Sequence, residues 1–148
     1  VLMAPGGLEQ REAYMKMKGI RSMLKAVFGD EPISRESMRR VFELQLFDPD
    51  QVTEQVIEER FQIAETQPKR VLSTLRVPHL APRLGELDCP VFGWWGMTDE
   101  FCPVSGATKL ATACKDARVM LLANCGHWVM VERCDLFSRL TVDFLREG

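Results

Sequence analysis

Asp99 and His127 are the residues of this 148-residue chain whose types and setting best suit acid–base chemistry. Asp99 lies in the loop Gly96-Met97-Thr98-Asp99-Glu100-Phe101-Cys102-Pro103, and His127 lies in Asn124-Cys125-Gly126-His127-Trp128, 28 positions later. A carboxylate that accepts a hydrogen bond from one imidazole nitrogen fixes the tautomer and leaves the other nitrogen free to take a proton from a nucleophile. Taken singly, an Asp in such a loop also serves as a turn or N-cap residue, and a His after glycine as a hydrogen-bonded structural residue. The chain has two histidines, His79 and His127, and Gly126 leaves the second room to move. Cys125 raises a thiol nucleophile as a further reading, but side chains two apart on a turn rarely meet in line.

For these residues to meet, the elements before them must end on one rim. Cys89-Pro90-Val91-Phe92-Gly93-Trp94-Trp95-Gly96 carries no charge and is rich in strand formers, which predicts an interior strand closed by glycine. Pro103 fits the first turn of a helix reaching Cys114, and Ala117–Leu122 reads as the next strand. Glu132 to Glu147 predicts a closing amphipathic helix, with Leu136, Leu140 and Phe144 on one side. Val1-Leu2-Met3-Ala4, stopped by Pro5-Gly6-Gly7, predicts a strand buried on both faces. Strand, helix, strand, helix implies an α/β fold: a parallel sheet of about three strands with flanking helices and right-handed crossovers. In such sheets ligands bind beyond the carboxyl ends of the strands, where both loops emerge.

The stretch between the first two strands is helical. Ser34 caps a predicted helix from Arg35 to Leu46, Thr53 caps another to about Thr66, and Val71, Leu72 and Leu75 mark a short one after Pro68. The expected division is a helical insertion over 9–77, with 1–8 and 78–148 forming the core. On the Thr53 helix Arg60 shares the apolar stripe of Val56, Ile57, Phe61 and Ala64, and a buried guanidinium requires an anionic partner. That partner is either a ligand or one of Glu54, Glu58 and Glu59, unless the side chain snorkels to the surface. Met15, Met17 and Met23, with Leu24 and Phe28, suit either an adaptable surface over an apolar ligand or plain packing.

Composition excludes several classes of function. Apolar residues make up 46% and charged residues 27%, and the net charge is −2, so the chain is neither disordered nor a nucleic-acid coat. No stretch approaches the ~18 apolar residues of a membrane span. Five cysteines, Cys89, Cys102, Cys114, Cys125 and Cys134, form no CxxC pair and predict reduced thiols, hence a cytoplasmic location. No cluster with metal-ligand spacing is visible.

Trp95-Gly96-x-x-Asp99-x-x-x-Pro103, then Cys125-Gly126-His127-Trp128, then Glu132-x-x-x-x-Phe137 in the terminal helix together resemble the C-terminal part of an α/β-hydrolase. More narrowly the chain is similar, over nearly all its length, to the meta-cleavage product hydrolases, which break a carbon–carbon bond in ring-fission products of aromatic and steroid degradation. Val-Leu-Met-Ala-Pro-Gly-Gly resembles that family's strand before its helical lid, and Met97 stands where the family more often has an arginine. The resemblance implies that Asp99 is the triad acid and His127 the triad base. It implies that Arg60 and Trp128 bind the carboxylate end of a small-molecule dienoate substrate, and that Phe101 and Cys102 line the apolar part of its pocket. It implies no metal and no organic cofactor. The family's nucleophile is a serine in a Gly-x-Ser-x-Gly-like elbow. None of Ser22, Ser34, Ser37, Ser73, Ser105 and Ser138 has flanking glycines two residues to either side. The expectation is therefore a partial enzyme, inactive alone, whose first strand presents an unpaired edge to a missing N-terminal half or to another copy of the chain in a homo-oligomer.

Overall fold

The computed structural model describes residues 1–30, 32–67 and 76–147. Its centre is a three-stranded parallel sheet of order β1-β2-β3, made of β1 (Leu2–Met3), β2 (Val91–Gly96) and β3 (Ala117–Leu122). Leu2 pairs with Gly93 on one side of β2, and Val91 through Gly96 pair with Ala117 through Leu122 on the other. All six residues of β2 are buried, as its uncharged sequence requires. The first strand departs from expectation: Leu2 and Met3 are only half-buried and Val1 is exposed, because among the described residues β1 pairs on one side alone.

Alternation along β2 builds a core on each face of the sheet. Phe92 and Trp94 pack with Cys125 and Val129 against the closing helix, through Leu136, Phe137, Leu140 and Phe144. Val91 and Trp95 face Leu110 and Ala107 of α5 (Ser105–Ala113) and Cys114 just after it, together with Leu8, Leu84 and Phe101. A Cβ on Gly93 would stand 2.6 Å from the Leu110 side chain, so this crossover helix seats directly on the strand. The expected closing helix is α7 (Cys134–Glu147), starting two residues later than Glu132; a separate short helix, α6 (Val129–Glu132), precedes it across Arg133, whose φ of −132° and ψ of 41° are not helical.

Between β1 and β2 run α1 (Arg11–Tyr14), α2 (Lys18–Phe28), α3 (Arg35–Glu43) and α4 (Glu54–Thr66). Ser34 caps α3 in a reciprocal box with Ser37, and the Thr53 hydroxyl accepts from the Val56 amide at the start of α4. Phe42, Leu46, Val52 and Ile57 form a third core here, with Met38 and Trp128 against it. The predicted short helix on Val71, Leu72 and Leu75 lies outside the described residues. No helix among the described residues is long and apolar enough to cross a membrane.

Candidate active site

Because β2 and β3 are parallel neighbours, their carboxyl ends share a rim, and the loops that follow are laced together. The Met97 amide donates to Leu122 O, and both the amide and the hydroxyl of Thr98 donate to Cys125 O. The loops cross at Gly96, where an added Cβ would stand 2.0 Å from Gly126 O and 2.1 Å from Cys125 O. This crossing sets Asp99 against His127: the imidazole Nδ1 lies 2.8 Å from Oδ2. The other oxygen, Oδ1, accepts from the amides of Phe101 at 2.7 Å and Cys102 at 2.9 Å. Asp99 is thus a turn residue through one oxygen and the partner of His127 through the other. A carboxylate that accepts at both oxygens places the imidazole proton on Nδ1 and leaves the lone pair on Nε2. The Asp99 side chain is wholly buried while that of His127 keeps 18% exposure, so the carboxylate is sealed and the imidazole is reachable.

The walls around this pair come from three directions. Phe101, buried, stacks on the His127 ring at 5.3 Å, and α2 starts against it: a Cβ on Gly19 would come within 2.3 Å of the Phe101 ring. Cys102 lies in the sheet core beneath the loop, and burial, with the nearby Asp99 charge, pushes its thiol up to about 12. Burial, reinforced by Glu132, does the same to Cys125, likewise to about 12, which removes it as a thiolate nucleophile. Trp128 packs on Phe42 of α3 at 5.2 Å, and the guanidinium of Arg60 stands over the indole at 6.0 Å.

Of the alternatives the sequence leaves open for Arg60, the structure has the exposed side chain: none of the glutamates considered for it holds it, since Glu54 pairs with Arg39, Glu58 with Arg35, and Glu59 accepts from Gln55. The Arg60 guanidinium stands over the face of Trp128 and forms no ion pair among the described residues. Asp99, His127, Phe101 and Cys102 are thus joined by direct contacts, and Arg60 joins them through Trp128. His79 is not among them; it is exposed and meets Gln10.

Two residues at this rim had no role in the sequence reading. Gln45 O accepts from the Trp128 amide at 3.0 Å, and the Glu132 carboxylate accepts from the amides of Gly126 and Phe47. Glu132 had a signal, five positions after His127 in the quoted pattern; Gln45 acts through its backbone and had none.

No protein-family model matches the chain. It is 35% identical to a 2-hydroxy-6-oxo-6-phenylhexa-2,4-dienoate hydrolase of Comamonas testosteroni, over 99% of this chain and 54% of the relative. It is 32% identical to a 2-hydroxy-6-oxononadienedioate/2-hydroxy-6-oxononatrienedioate hydrolase of the same organism, over 100% and 54%. Among solved structures, a meta-cleavage product hydrolase from Pseudomonas fluorescens IP01 superposes with a TM-score of 0.76 at 25% identity, over 99% of this chain and 55% of that one. The chain spans about half the length of the curated relatives it matches. Along its length the chain is similar in sequence to the meta-cleavage product hydrolases, and its fold is that of an α/β-hydrolase.

Proposed function

We propose that the protein carrying this chain hydrolyses a carbon–carbon bond in ring-fission products of the 2-hydroxy-6-oxo-hexa-2,4-dienoate type. In this reading residues 9–77 form a lid, and residues 1–8 and 78–148 supply the Asp-His half of a Ser-His-Asp triad whose serine lies outside this sequence. The observation that carries it is Arg60, a cation with no carboxylate partner among the described residues, standing over the indole one position from His127. Its planar fork suits a bidentate carboxylate, and the neighbouring apolar rings suit the conjugated remainder of the substrate.

The chemistry follows from these positions. The substrate ketonises, and the serine or a water attacks the carbonyl distant from the carboxylate, with His127 Nε2 taking the nucleophile's proton. Asp99 holds the tautomer and stabilises the imidazolium. The bond next to that carbonyl breaks, His127 returns a proton to the departing carbon, and the net addition of water yields a dienoate and a carboxylic acid. Phe101 and Cys102 border the apolar side. Five thiols without disulfides support a cytoplasmic setting, and the open edge of β1 is where the rest of the sheet, or a second copy of the chain, would pair.

The test is Arg60→Ala in the full-length protein, assayed on a dienoate and on a simple aryl ester. Loss of a charge-assisted bidentate contact should cut kcat/KM for the dienoate roughly 10- to 100-fold and leave the ester nearly unaffected. Unchanged dienoate turnover with a fall in ester turnover would instead assign an esterase or lactonase on the same scaffold.

A further inference from the structure

Glu132 lies outside the acid–base pair, yet its carboxylate joins the two parts of the molecule that meet there. Oε2 accepts from the amide of Gly126, the residue before His127, at 2.5 Å, and Oε1 accepts from the amide of Phe47, in the segment that follows α3, at 2.7 Å. The same segment is pressed onto the histidine loop elsewhere. Trp128 donates its amide to Gln45 O, and a Cβ on Gly126 would stand 2.6 Å from that carbonyl and 2.8 Å from the Leu46 carbonyl carbon. From the other side Arg133 donates to Asn124 O at 2.5 Å and Ala123 O at 3.4 Å, which its non-helical backbone permits. The loop before the histidine is therefore gripped at its carbonyls by one residue and at its amide by the next one back.

We infer that Glu132 is a positioning residue that couples the seat of the helical segment to the placement of His127, one carboxylate oxygen serving each. The inference rests on the reading of His127 as the base. It requires a group that accepts at both ends, and a carboxylate does so where an amide of the same size cannot. In Glu132→Gln one strap survives and the other meets an NH2 group facing an N–H. The histidine loop then loosens, the Nδ1–Oδ2 bond to Asp99 weakens, and the imidazolium loses support. The charged or titratable groups around that ring and strap are Asp99, Arg60 through Trp128, Arg133 and the Cys125 thiol.

The experiment is nitrogen-15 imidazole NMR of the full-length protein, with His127→Gln to identify the signal. In folded Glu132→Gln the Nδ1 proton of His127 should broaden through faster exchange, because its bond to Asp99 Oδ2 is no longer held. An unchanged Nδ1 proton overturns the inference. Amide exchange in the unsubstituted protein gives a second check, which holds even if Glu132→Gln does not fold. Gly126 and Phe47 should be protected to a similar degree, and exchange of Phe47 at the open-chain rate overturns the shared strap. Neither readout depends on the substrate, so a wrong reaction assignment would show separately, as an unsubstituted protein that does not turn over dienoates.

Discussion

Both oxygens of Asp99 are occupied, and they divide the work: Oδ1 shapes the turn through the Phe101 and Cys102 amides, and Oδ2 holds the imidazole. Asp99→Asn keeps the first function, since an amide oxygen still accepts, and inverts the second by presenting an NH2 group to Nδ1. The imidazole proton is then driven to Nε2, the wrong side for a base. In the full-length protein kcat should fall by roughly 10³- to 10⁴-fold with the melting temperature little changed, as steady-state kinetics and thermal melts would read. The thiols give a second prediction at this scale. Cys89 and Cys134 are exposed, whereas Cys102 and Cys125 are buried with thiols pushed up to about 12, so of these four an alkylating reagent near pH 8 should mark the first two. Peptide mass spectrometry checks it, and early labelling of Cys125 would restore the thiol reading. The contact between Asp99 and His127 was legible in the sequence because their types suit it and their positions follow from strand ends. Arg60 was legible as a residue but not in its setting, since periodicity places a side chain on a face and does not say whether its tip bends out to an indole.

Among the elements, the strands and the two capped helices followed from local rules. β2 has an unbroken apolar run, and Ser34 and Thr53 each satisfy an amide of the first turn that has no partner within the helix. Thr53→Ala should cost about 1 kcal/mol, measurable by denaturant unfolding. What local rules missed depends on distant partners. Arg133, between α6 and α7, donates to the carbonyls of residues 123 and 124, and the tie between Gln45 and Trp128 joins backbones far apart in sequence. Gly126 marks that tie. A methyl group there must displace backbone rather than a flexible side chain, so Gly126→Ala should destabilise by roughly 1 to 3 kcal/mol and lower kcat with it.

For the molecule as a whole, the ion pair of Glu9 with Lys109 fastens the loop after β1 to α5. Burial alone would raise the Glu9 carboxyl, but bonds from Lys109 and Ser105 together with the Lys109 charge outweigh it, and the net shift is downward. A carboxyl lowered in the folded state adds stability above its ordinary value near 4.5, and that stability is lost as pH falls through the lowered value. Melting temperature should therefore decline below about pH 4.5, and Lys109→Met should flatten that decline. The open side of β1 predicts that this chain, prepared alone, associates; a sizing run showing a monodisperse 16.9 kDa monomer would refute it.

The residues that would handle protons are near neighbours along the chain, bridged by one crossover, whereas the segment that closes over them reaches Gly126 and Trp128 from some eighty positions upstream. Short loops close at lower entropic cost than long ones. During refolding the strand pair and its histidine should therefore assemble first, bare to solvent, and the helical cover should arrive last. Pulsed deuterium labelling would see this as early protection in 91–122 and late protection at Phe47.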